Sequence, residues 1–442
     1  MVMKTKGFLW IFFTLVFLWV PLHQMNIVSG KEKVDQKKSS PSKMIQDSLN
    51  RALEWLKRHQ SPKGYWTSSR FDQFCSRSPR CSNKYPAPKD SIQERIDPQN
   101  IGQGMNGYDA GVTGLAVLAF LGSGHTHKAG KFRLQVKKAL EWIKSIQVVN
   151  PSSKWYGSIG YIINGKKTSQ PEWIYSHCIC TLALCQAYAI TKDYQLKDYA
   201  QRAVDFLVKC QNPGLGWRYD DTNPARVIKS GKNDTSVTGW AIMALKAAKR
   251  GRLKVPYRSF KGAKKWFRRV TGSKGQVGYM TPGGGSSVLY GRQNSFDELP
   301  TNTAISVKSR LLLGEYKMKR DIQKGANILM KNLPKWEKRT INMYYWYYGT
   351  HAIFQIRGRK WDCRKKILIL PNERKRKVSC CWYHAILQAL LPFQRQEGKK
   401  SCGDGSWDPV SEWGIAGGRV YSTALCALTL EICARYERMK SR

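Results

Sequence analysis

The stretch "RALEWLKRHQSPKGYW", residues 51–66, decides the fold because most of it is written again further along the chain. A basic residue, Ala, two spacers, an aromatic, an aliphatic, three spacers and Gln are followed by Gly64 and Trp66. Much of the string returns in "KALEWIKSIQ" (138–147) and "RAVDFLVKCQNPGLGW" (202–217). Each copy reads as an amphipathic helix stopped by Gly or Pro. Related segments at 261–270, 323–332 and 383–394 complete a set of six. After each comes a more apolar segment: 109–122, 175–190, 233–248, 301–314, 343–356 and 419–436. These are rich in Ala, Gly, Thr and Leu, and a helix apolar on all sides belongs in an interior. Six alternating pairs of outer and inner helices at a period of about sixty residues predict an all-α (α/α)6 toroid; a linear solenoid is the competing arrangement.

The repeat has a structural reading. Gln60, Gln147 and Gln211 stand at helix ends, where a side-chain amide can meet orphan backbone groups. Trp66, Trp217 and Trp407 offer a large apolar body with one N–H donor. The string is therefore expected to staple neighbouring pairs and to do no chemistry.

The N-terminus carries Lys4 and Lys6 before the apolar run 7–22, which predicts a signal peptide or an uncleaved anchor over residues 1–30. Export of the body of the protein follows. Residues 31–47 read as a polar, basic linker, and 48–442 as the toroid. Net charge is +45. That field favours an anionic membrane or wall surface, with nucleic acid the weakest of the anionic partners because no binding motif accompanies it. Among the 12 Cys, Cys75 and Cys81 form the best local disulfide candidate. Cys178, Cys180, Cys185, Cys426 and Cys433 read as buried free thiols.

The Arg-Ala-x-x-Trp-Leu-x-x-x-Gln-x-x-x-Gly-x-Trp string resembles the Gln–Trp repeat of squalene and oxidosqualene cyclases, and "GDGSWDP" (403–409) behind Gln394 resembles its terminal copy. From about 48 to 436 the chain is similar to the terpenoid cyclase and protein prenyltransferase superfamily of α/α toroids. It also resembles exported bacterial proteins with prenyltransferase and squalene oxidase repeats. The resemblance implies a central cavity for an isoprenoid or other extended hydrophobic ligand. Class II cyclases protonate an alkene with the central acid of Asp-x-Asp-Asp-Thr; here the matching residues are "GKNDT", with Asn233 at the acid position and Asp234 next to it. An amide cannot deliver that proton, so an isoprenoid-binding protein without the standard cyclase acid is the first reading. A terpenoid cyclase using Asp234 as general acid, or the pair Asp220–Asp221, is the alternative. Whether the chain is an enzyme stays open. Prenyltransferase β-subunits need zinc held by Asp, Cys and His; "YSHCICTLAL" matches at His177, but no Asp-x-Cys follows. No cofactor and no metal site is read from the sequence.

Parallel inner helices would gather their N-termini at one mouth of the cavity. That mouth is expected to hold Asp109, His177, Asn302, Tyr345, Tyr348, Arg419 and Tyr421 as ligand contacts, beside Asp234. Asp109 and Asp234 also stand where helix N-caps belong. The run "MYYWYYGTHAIF" (343–354) could face a cation or a polyisoprenoid, or pack between helices.

Overall fold

The computed structural model describes residues 40–76, 102–163, 166–168, 172–219, 232–288, 296–337, 340–363, 381–396 and 402–440. The N-terminal apolar run, Cys81, Asp220, Asp221 and residues 364–380 lie outside the described residues.

Twelve helices alternate among the described residues. The outer members are α1 (Pro41–Arg58), α3 (Arg133–Ser145), α5 (Tyr194–Lys209), α7 (Tyr257–Arg269), α9 (Arg320–Lys331) and α11 (Trp382–Leu390). The inner members are α2 (Asp109–Gly122), α4 (Trp173–Thr191), α6 (Thr235–Arg250), α8 (Thr301–Leu312), α10 (Met343–Ile356) and α12 (Gly414–Lys440). Helix α12 is broken at Gly418, whose φ of 65° is left-handed. A single antiparallel pair, Ile162–Ile163 with Lys166–Lys167, is the sheet content described.

Helix α1 shows how sequence becomes an outer element. Ile45, Leu49, Ala52, Leu53 and Leu56 are buried at helical spacing, which leaves the basic residues on the far face. The Ser40 hydroxyl caps Lys43 N, and Pro41 fits the first turn, where its missing N–H costs nothing. This corrects the linker boundary: residues 41–47 are the start of the helix.

The inner helices form a closed ring, α2 on α4, α4 on α6, α6 on α8, α8 on α10, α10 on α12, and α12 back on α2. Helix α1 lies against α12, so the outer layer closes over the junction of the chain's two ends. The chain is an (α/α)6 toroid.

The repeated string is the seam between neighbouring outer helices. The Gln60 amide donates to Gly64 O at 2.8 Å and to Gln135 O, in the first turn of α3, at 2.9 Å. Gln147 reaches Tyr199 O, and Gln211 reaches Leu215 O and Ser259 O. The indoles of Trp66, Trp217 and Trp407 donate back to Leu56 O, Leu207 O and Leu390 O. Gly64 is required at φ 100° because a Cβ there would strike the Lys138 carbonyl.

Candidate ligand cleft

The N-terminal ends of α2, α4, α6, α10 and α12 line a cleft of about 680 Å³, its open mouth included. Val112, Leu115, Ile179, Trp240, Tyr344 and Tyr421 make its walls, with Tyr175, Ser176 and Ser236 among the polar contributors. Gly111 and Gly417 also face it. At the mouth the Tyr108 hydroxyl donates to Glu172 at 3.2 Å. Trp240 stacks with Tyr344 and Tyr347, at centroid distances of 6.3 and 5.9 Å. The chemistry offered is apolar contact and aromatic faces, with hydroxyls at one end.

Asp234 is fully buried and does not line the cleft. It caps α6: its Oδ1 accepts from Ser236 N at 2.7 Å, Val237 N at 2.9 Å and the Ser236 hydroxyl at 2.5 Å. Ser236, which lines the cleft, is in turn 2.6 Å from the Tyr175 hydroxyl, so the carboxylate meets the cleft wall through the Ser236 hydroxyl. Burial, with Asp234 nearby, holds the Tyr175 phenol well above its usual range, and it stays protonated. Asn233, at the cyclase acid position, accepts from Gly216 N at 2.8 Å and from Asn212 at 3.2 Å and belongs to the loop.

Of the other expected contacts, only Tyr421 lines the cleft. Asp109 is the first residue of α2, after an N-cap formed by Tyr108. Its Oδ1 accepts from Ser68 N and the Ser68 hydroxyl, and burial raises its pKa. It anchors the loop that follows Trp66 and is neither a cap nor a cleft-lining group. His177 accepts from Ile159 N at Nδ1 and donates from Nε2 to Ala203 O on α5. Burial drives its pKa down to about 3. Tyr345 points outward and donates to Asn332 O at 2.8 Å. Arg419 pairs with Asp408 at 2.6 Å and donates to the Ser406 hydroxyl. Asn302 is fully buried and away from the cleft, and its amide has no hydrogen-bond partner among the described residues. Tyr348 does not line the cleft, and its ring lies 4.6 Å from Lys308 Nζ.

The corrections at Asp109, His177, Asp234 and Arg419 share a physical cause. One register of the inner helices, Thr113, His177, Thr238, Thr303 and Thr423, turns outward to accept the backbone N–H of Trp66, Ile159, Trp217, Val277 and Trp407. A residue four positions away on the same helix shares that outward face, as Arg419 does with Thr423. His177 thus replaces a seam threonine, a role that aligning the inner helices would have revealed.

Lys308 was missed. It is 3% exposed on α8, lies over Tyr347 at 4.4 Å as well as Tyr348, and burial holds its pKa well below the lysine range. Part of the tyrosine run therefore already packs against a buried amine, which belongs to the protein.

A family model described as the squalene-hopene cyclase C-terminal domain matches residues 27–265, more than half of the chain. The chain belongs to that family. This squalene-hopene cyclase-like toroid has no match among curated proteins. Its fold is similar to that of a type II terpene cyclase, MstE from Scytonema, at 14% identity and a TM-score of 0.50, covering 90% of this chain and 99% of that one. It is also similar to an unsaturated glucuronyl hydrolase from Bacillus sp. GL1, at 12% identity and TM-score 0.50, covering 90% and 96%. A family 76 glycoside hydrolase from Bacteroides thetaiotaomicron gives 10% identity and TM-score 0.50, covering 90% and 99%. At such identities the likeness is one of fold.

Proposed function

We propose that this squalene-hopene cyclase-like protein is exported and binds an isoprenoid or another extended apolar ligand in the central cleft, without proton delivery by Asp234. The observation that carries this reading is the lining: Val112, Leu115, Ile179, Trp240, Tyr344 and Tyr421 face the space while Asp234 is turned into its own helix end. A general acid must reach the atom it protonates. The charge of +45 supports docking to an anionic surface on which such a ligand resides.

The test is titration of the purified protein with geranylgeraniol, followed by tryptophan fluorescence, with mannotriose as a control. Trp240→Ala should weaken binding roughly tenfold, the equivalent of about 1.4 kcal/mol of lost apolar contact. Asp234→Asn, which keeps a capping side chain, should leave binding unchanged. Association with phosphatidylglycerol vesicles should fall steeply between low and physiological salt.

A second reading, a terpenoid cyclase with Asp234 as general acid, is favoured by the Tyr175–Ser236–Asp234 hydrogen-bond chain that ends at the cleft wall. Conversion of squalene to a cyclised product, abolished by Asp234→Asn, would establish it and overturn the first.

A further inference from the structure

His59, Cys75 and Cys402 come from three distant places and converge. His59 is the C-cap of α1, Cys75 follows the 3-10 turn Phe71–Phe74, and Cys402 opens the loop leading to Trp407. Their donor atoms all lie within 4.8 Å of one another. Cys402 Sγ is 3.1 Å from His59 Nε2 and 2.7 Å from Cys75 Sγ. Exposures are 1%, 5% and 6%, and neither cysteine is in a disulfide. Cys81, the expected partner of Cys75, lies outside the described residues; the sulfur beside Cys75 among the described residues is that of Cys402.

The histidine is the deciding group. Its Nδ1 sits 2.8 Å from Trp55 O, and a carbonyl can only accept, so Nδ1 carries the hydrogen. Nε2 is left with its lone pair aimed at sulfur. Trp55 stacks on the imidazole at 4.1 Å and fixes the ring plane. A ring nitrogen tied to a backbone carbonyl while the other faces soft donors is the arrangement of a metal-bound histidine.

We infer that His59, Cys75 and Cys402 bind a zinc ion that clasps the first repeat to the last. Two thiolates and a neutral imidazole balance a divalent charge, and sulfur–nitrogen donor sets select zinc over oxygen-seeking magnesium or calcium. One tetrahedral position remains for a further donor, water included. The placement supplies the reason. Five seams of the ring are crossed by continuous chain, whereas the sixth joins segments 343 residues apart and must close without a short peptide link. The same seam carries Arg58 to Asp404 O and the Gln394 contacts with Ser48 and Arg51. A metal bound only by the closed ring adds its binding energy to folding. The sequence expectation of no metal is revised here, since the three ligands show no local spacing motif. A second set, Asp362, Cys363, Cys381 and His384, carries no proposal, because Cys363 is disulfide-bonded and Asp362 is engaged by Tyr436 and Lys440.

The experiment uses the purified full chain. Elemental analysis should find one zinc per chain, and exchange with Co(II) should give tetrahedral d–d bands and a thiolate-to-cobalt charge-transfer band. Cys402→Ser should lose the metal and lower Tm. Cys402→His should keep it with a weaker charge-transfer band, a result that persists as a test if the serine variant does not fold. A Cys75–Cys402 disulfide mapped by mass spectrometry in metal-free protein would overturn the proposal. So would cobalt without thiolate charge transfer, or zinc retained in full by a folded His59→Ala/Cys402→Ser double variant.

Discussion

The Ser48 hydroxyl donates to the Gln394 side-chain oxygen at 2.7 Å, across 346 residues of chain. Arg51 donates to the same oxygen at 2.9 Å, and the Gln394 amide returns to Ser48 O and Gly405 O, both at 2.9 Å. One side chain in the last repeat therefore meets the first outer helix in three ways, and Gly405 at φ 94° lies against the Arg51 carbonyl. The ring is shut by the device that joins its other repeats.

Gln394→Ala should cost about 1–3 kcal/mol, because it strands buried partners as well as removing bonds. Urea denaturation of the variant beside Gln60→Ala checks this. The Gln394 change should be the larger, since Gln60 is shown with two bonds, to Gly64 O and Gln135 O.

Gly64→Ala should destabilise by roughly 1–3 kcal/mol or more, combining left-handed backbone strain with collision against the Lys138 carbonyl. Gly214→Ala is the control: φ is 69° there too, but a Cβ would meet nothing within 4 Å. Thermal melts should therefore rank Gly64→Ala well below Gly214→Ala.

His177 gives the fold an acid limb. Its folded pKa of about 3 lies below the unfolded value of 6.5, so the unfolded chain takes up the proton first. The contribution is present above pH 6.5 and is lost as pH falls toward 3. Between pH 7.5 and 5 the loss is about 2 kcal/mol. His177→Thr, the residue of the equivalent seams, should flatten that slope in urea titrations at each pH. An unchanged slope would refute the assignment.

Lys308 has its pKa held below the lysine range by burial alone, so stability falls as pH drops below the unfolded value of 10.5. Lys308→Met replaces a buried, ionisable amine by a side chain of similar volume. It should stabilise the protein at pH 7 by roughly 1–4 kcal/mol, with the gain shrinking as pH approaches 10. Urea denaturation at the two pH values is the measurement.

Element positions were legible because helices apolar on all sides have one home. The segments read as 109–122 and 343–356 are Asp109–Gly122 and Met343–Ile356 in the structure, and the Gln–Gly–Trp string names its own seam. Charge and the N-terminal apolar run were equally open to reading, since both are sums over local residues. Which side of an inner helix faces the lumen was not. Neighbouring residues differ by about 100° around the axis, and the outward register is set by hydrogen bonds to the preceding seam. So Tyr344 and Tyr421 reached the cleft, while Tyr345, His177 and Arg419 turned into the wall.

Period and polarity along the chain determined the number, type and layering of the helices, for these follow from burying apolar surface one segment at a time. Closure decided the rest. The meeting of Ser48 with Gln394, and of His59 and Cys75 with Cys402, exists only once the two ends of the chain are brought side by side, and no local pattern records which distant residues that contact will select.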